Sequence, residues 1–190
     1  RFFFFFETET LKLIGQTTLA VRTPGAVDAL LLESFAAGTN RLSGTSDNAA
    51  MTPITFAGLE TLFIDAAAND AGGGDDSVVV NSAGLVGAQL LRVMTGTGEN
   101  SLIALGGVVR LDVLDGNRLD VTASGARIAV DRSQTVRSIT MLGASVVEVD
   151  AGAILTPSAL DVGAGSPTID VAAGGQLLLG ESSLFSIQGG

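Results

Sequence analysis

From Ile103 onward the chain repeats one short pattern. Apolar clusters centre on Ile103, Val113, Val121, Ile128, Ile139, Val147, Ile154, Val162, Ile169, Leu178 and Phe185, about 7 to 11 residues apart. Runs such as Arg127-Ile128-Ala129-Val130-Asp131 and Thr168-Ile169-Asp170-Val171 alternate with the period of a strand. Gly, Asn or Asp separates them. Helical spacing of apolar positions at i, i+3, i+4 and i+7 is nearly absent. The pattern predicts an all-β chain with very short connections.

Short strands at even intervals suit a sandwich, a barrel or a solenoid, and a longer repeat chooses among them. Gly72-Gly73-Gly74-Asp75-Asp76-Ser77-Val78 aligns with Gly96-Thr97-Gly98-Glu99-Asn100-Ser101-Leu102, an offset of 24 residues. Three strands of about eight residues make the same length. The two intervals together predict a parallel β-solenoid (β-helix) with about three short strands and ~24 residues per coil. Residues 1–22 then read as an N-terminal strand, cap or assembly segment, and 23–190 as a single solenoid domain. Within the latter, residues 23–38 support two readings. Thr23, Pro24 and the closing Gly38 mark out a helix with Val27, Leu30, Leu31 and Phe35 on one face, which would cap the solenoid. Ala29 to Leu32 followed by Ala37 to Gly44 also reads as strand, turn and strand, and this reading is favoured.

Composition narrows the chemistry. The chain has 190 residues, 46% of them hydrophobic and 16% charged, with nine Phe but no Trp or Tyr. A narrow interior of stacked Val, Ile, Leu and Ala accounts for the shortage of aromatics. No His or Cys is present, which excludes His-based triads, thiol nucleophiles, disulfides and the usual zinc sites. The net charge is −10, and the ten cations are scattered singly from Arg1 to Arg137. Neither nucleic acid nor an anionic membrane is an expected partner. No apolar run reaches the ~18 residues of a membrane span.

Two stretches resemble a known class of protein. Pro53-Ile54-Thr55-Phe56-Ala57-Gly58-Leu59-Glu60-Thr61-Leu62-Phe63-Ile64, followed by Gly74-Asp75-Asp76-Ser77-Val78-Val79-Val80, is similar to the degenerate repeats of very large bacterial surface proteins. Gln134 to Thr140 with Val146 to Thr156 resembles autotransporter passengers and filamentous adhesins. The resemblance covers roughly residues 53 to 156. It implies a secreted or surface-exposed β-helical protein of adhesins, surface layers or fibres.

The Gly72–Val78 pattern also resembles the calcium-binding nonapeptide of toxin-type β-rolls, in which turn carbonyls and Asp side chains supply hard oxygen ligands. Asp75, Asp76, Glu99 and Asn100 are the residues that would hold the ion. The pattern does not recur at nine residues and has Asn100 where Asp is expected. The favoured reading is an Asp/Gly turn whose side chains cap their own backbone. Asp112, Asp115, Asp120 and Asp131, with Arg110 and Arg118 nearby, are similar to the carboxylates repeated across coils in pectin-degrading β-helix enzymes. The missing Trp, Tyr and His argue against that activity, and the expectation is no enzyme and no resident cofactor.

The run Phe2, Phe3, Phe4, Phe5, Phe6 would need cover on both faces of a strand, and a neighbouring molecule can provide it. At the other end Leu184, Phe185 and Ile187 continue the apolar pattern with no polar cap. Open solenoid ends stack on one another. The function expected from the sequence is therefore an extracellular or cell-surface structural protein that assembles with itself, head to tail, into a fibre or layer. The alternative is a monomeric adhesion module, binding cell-surface glycans, cut from a larger passenger.

Overall fold

The computed structural model describes residues 11–36, 38–70, 73–81, 90–111, 118–180 and 184–187, with side chains except at Leu90 and 184–187. The chain is all-β. The strands are β1 (Leu11–Ile14), β2 (Thr18–Arg22), β3 (Asp28–Ala36), β4 (Thr39–Ser46), β5 (Ala49–Ala50), β6 (Ile54–Ala57), β7 (Thr61–Asp65), β8 (Ser77–Asn81), β9 (Leu90–Met94) and β10 (Asn100–Ala104). They continue with β11 (Val108–Leu111), β12 (Leu119–Ser124), β13 (Arg127–Val130), β14 (Gln134–Leu142), β15 (Val146–Val149), β16 (Ile154–Val162), β17 (Thr168–Val171), β18 (Gln176–Leu177) and β19 (Leu184–Ile187).

These strands form two sheets. The first follows the order β1-β6-β4-β3-β8-β10-β12-β14-β16-β18, with β19 also on β16 and β5 on β4; the second runs β17-β15-β13-β11-β9-β7-β2. From β8 to β17 consecutive strands alternate between the sheets, and each pairs in parallel with the strand two before or two after it. Parallel neighbours need a crossover, and here the strand of the opposite sheet supplies it. The 24-residue offset read from the glycine motif is the step from β8 to β10, where Ser77 pairs with Ser101. The steps from β10 to β18 are shorter, about 18 to 22 residues, as where Val121 pairs with Ile139 and Leu155 with Leu177, whereas the step from β16 to β19 is 25. The long strand β16 pairs with two strands, with β18 through Ile154–Leu155 and with β19 through Ala159–Val162.

Period-2 alternation turns one residue in two inward, and parallel register lines these residues up. Leu30, Val78, Leu102, Val121, Ile139 and Leu160 form one such column, all buried. Val109, Ile128 and Val147 form another in the second sheet. Burying each such side chain contributes roughly 1.5–3 kcal/mol before chain entropy is charged against it.

The described residues of 23–38 are not helical. Asp28 to Ala36 is strand β3, which turns at Gly38 and pairs antiparallel with β4. β4 then pairs antiparallel with both β5 and β6, so the first sheet is mixed. The hairpin places β3 and β4 between β6 and β8, whereas β7 and β9 are direct neighbours in the second sheet. Gly44 pairs with Leu30 across the hairpin, and a Cβ there would overlap the carbonyl oxygen of Ala29. β1 and β2, from the segment 1–22, pair with β6 and β7.

Candidate functional site

The repeated motif builds a ladder at one corner. Asp76 and Asn100 immediately precede the paired residues Ser77 and Ser101, and Asp28 immediately precedes Ala29, which pairs with Ser77. All three are buried, with exposures of 1%, 2% and 1% for Asp28, Asp76 and Asn100. Each upper side chain accepts the backbone N–H of the rung below: Asp28 N–H donates to Asp76 Oδ1 at 3.1 Å, and Asp76 N–H to Asn100 Oδ1 at 2.8 Å. Asn100 Nδ2 donates to the Gly96 carbonyl at 2.8 Å, and Gly96 N–H points to Asp76 Oδ2 at 3.5 Å. Such bonds satisfy backbone groups that a tight corner would otherwise bury unpaired.

Carboxylates just outside the ladder do the same work. Asp75 Oδ1 accepts Glu99 N–H at 2.8 Å, and Asp70 accepts the amides of Gly74 and of Thr97, the latter at 2.7 Å. Asp47 Oδ1 takes the amides of Ala26 and Val27, each at 3.1 Å. The glycines of the motif follow from the same packing. A Cβ at Gly98 would overlap the Gly74 carbonyl oxygen, and one at Gly74 would overlap that of Ala26. Ala26-Val27-Asp28 is therefore a further copy of the motif, 48 residues before Asp76. Twice the 24-residue offset was the signal for it in the sequence, hidden because Ala26 replaces the glycine.

The bottom rung differs from the others. Both oxygens of the Asp28 carboxyl are buried without a hydrogen-bond partner. The hydroxyls of Thr23 and Ser46 face it without reaching hydrogen-bond geometry; that of Thr23 donates to the Asp65 carbonyl at 3.3 Å, and Ser46 Oγ accepts from Gly25 N–H at 2.8 Å. Burial raises the Asp28 pKa above its ordinary value, the two hydroxyls oppose the rise, and the charges of Asp47 and Asp70 add to it. Burial likewise pushes Asp76 up to about 7, with Asp28 and Asp70 adding to the rise and the amides of Gly96 and Asp28 opposing it.

Of the residues the sequence suggests for calcium, Asp75 lies against Glu99, and Asp76 against Asn100, through backbone amides. The Glu99 carboxylate pairs with Arg137 and lies 3.8 Å from Arg118. Among the described residues no three acidic groups are arranged to hold a metal ion. Of the second acidic set, Asp112 and Asp115 lie outside the described residues. Asp120, on β12, accepts Arg137 Nε at 2.8 Å and Ser138 Oγ at 2.6 Å. Asp131, after β13, accepts Arg92 Nη2 at 2.7 Å, with Arg110 at 3.6 Å. Asp120 thus lies on a strand of the first sheet and Asp131 just after a strand of the second, the former held by Arg137 and the latter by Arg92 and Arg110. Phe2 to Phe6 lie outside the described residues. Leu184, Phe185 and Ile187 are on β19, in register with Ala159, Leu160 and Val162.

Comparison with protein families, with curated proteins and with solved structures finds no match to this chain.

Proposed function

We propose that the chain is a parallel β-solenoid subunit of an extracellular or cell-surface structural protein, without enzymatic activity, that assembles head to tail with itself into a fibre or layer. The observation that carries this reading is a stack of parallel strands with open edges. Among the described residues β1 and β2 have no outer neighbour at one end, and β17, β18 and β19 have none at the other. Unpaired strand edges are templates for another chain. Val171, Leu178 and Leu179 near the second end are exposed, as is Ile14 at the first. Charge supports a fixed polarity. β1 and β2 carry Lys12 and Arg22 and no acid, whereas no cation follows Arg137 and the acids Glu148, Asp150, Asp161, Asp170 and Glu181 do. The Phe2–Phe6 run adds apolar surface to the joint.

Negative-stain microscopy of the purified chain beside one lacking residues 1 to 7, in chelator and in calcium, tests the reading. Filaments from the full chain that shorten or vanish on truncation are expected. Short isolated rods from both would overturn it. A monomeric adhesion module is the second reading, favoured by the β3–β4 hairpin, whose tip exposes Phe35 (51%) with the Arg41 guanidinium 4.2 Å from the ring centroid. Concentration-independent monomers that bind immobilised glycans, and lose binding in Phe35→Ala, would select that reading instead.

A further inference from the structure

Asp76 and Asn100 each accept the backbone amide of the preceding rung of the corner ladder, and Asp28 has no such amide to accept. The hairpin is the reason: the neighbour of β3 on that side is the antiparallel β4, which sets Ser46 opposite Asp28 where a parallel rung would present its N–H. Both Asp28 carboxyl oxygens are consequently buried and bare. Around them the fold gathers oxygen. Thr23, Asp28, Ser46 and Asp76 are all buried, with exposures of 4% or less. The Thr23 and Ser46 hydroxyls face the Asp28 carboxyl, and each keeps a lone pair beyond its hydrogen bond to the backbone. Asp76 uses Oδ1 for the Asp28 amide, at 3.1 Å, and leaves Oδ2 with only a 3.5 Å contact to Gly96 N–H. The charges that bear on the two carboxyls are acids, Asp47 and Asp70 on Asp28, and Asp28 and Asp70 on Asp76.

We infer that the Asp28 and Asp76 carboxylates, with the Thr23 and Ser46 hydroxyls, form a buried site for a divalent cation of calcium's class. Two carboxylates balance two positive charges, and every ligand atom is a hard oxygen. Bare carboxylates inside a fold are unfavourable, and a bound cation relieves the cost that burial imposes on them. Only Asp76 is shared with the set Asp75, Asp76, Glu99 and Asn100 that the glycine motif suggests. The other members are engaged: Asp75 with the Glu99 amide, Glu99 with Arg137, and Asn100 at both ends of its side-chain amide. Among the described residues no third acid completes the site, so its affinity belongs to the weak range of about 0.1–1 mM found in extracellular modules. Magnesium, which holds its waters in strict octahedral geometry, fits a buried corner poorly. The ligands come from the residue after β2, the first of β3, the last of β4 and the residue before β8, so a bound ion ties the hairpin to the parallel stack. This inference stands whether or not the chain assembles end to end.

Calorimetric titration of the chelator-treated full chain with calcium chloride tests it. One ion per chain is expected, with a dissociation constant of about 0.1–1 mM, and magnesium chloride should bind about tenfold more weakly or not at all. D28N keeps the shape of the side chain and removes one charge, and it should weaken calcium binding about tenfold or more, whereas D75N and E99Q should leave it unchanged. Absence of binding up to about 10 mM calcium, or magnesium binding as tight as calcium, would overturn the proposal. So would equal binding in D28N and the native chain, or loss of binding in D75N or E99Q, which would move the ion to the glycine motif. Should D28N fail to fold, carboxyl carbon shifts of the native chain decide. Those of Asp28 and Asp76 should move as calcium is added while those of Asp75 and Glu99 stay still, and the opposite pattern, or no movement, refutes it.

Discussion

Asp76 and Asn100 stand one above the other and do the same job, accepting the amide beneath, yet only the carboxyl can ionise. Asp28 and Asp76 both have folded pKa values above 3.8, so the folded state holds protons that the unfolded chain gives up. Their contribution to stability is complete below 3.8 and is lost as pH rises through about 7, the value at Asp76. Thermal melting followed from acid to alkaline pH should show the native chain losing stability over that window and D76N losing less of it. Gly74 and Gly98 answer to packing, whereas Gly73 answers to its backbone conformation, with φ at 82°. Gly98→Ala should cost about 1–3 kcal/mol in denaturant unfolding, because its methyl meets a backbone carbonyl that cannot rotate away. The paired glycine motifs were legible in the sequence for this reason: a close backbone approach forbids any side chain. The copy at Ala26 was not, because its alanine breaks the pattern and the Ala-Leu-rich residues after it fit a helix as well as a strand.

At the scale of strands, inward columns hold the sheets together and outward charges add little. Ile128→Ala removes most of a fully buried side chain and should cost about 2–5 kcal/mol, whereas Val108→Ala, at an exposed position on β11, should change stability by less than about 0.5 kcal/mol. Denaturant unfolding of the two variants separates the cases. The pair between Arg127 and Glu148, at 2.8 Å on the outer surface, should be worth about 0.2–1 kcal/mol in a double-mutant cycle and weaken with added salt. Alternation made the strands of the C-terminal half readable, since a half-buried strand imposes a period of two. The direction of pairing was harder to read: nothing in the alternation of β4 distinguishes an antiparallel return from another parallel step.

Taken as a whole molecule, the two sheets have different extents. Strand spacing within a sheet is close to 4.8 Å, so the hairpin that inserts β3 and β4 lengthens the first sheet by about 10 Å where β7 and β9 remain adjacent in the second. Strands that are longer in number on one side than on the other make a wedge. A row of such wedges joined end to end curves toward its shorter side, as a masonry arch does, and a filament built from this chain would trace an arc or a helical path with a repeat set by the hairpin.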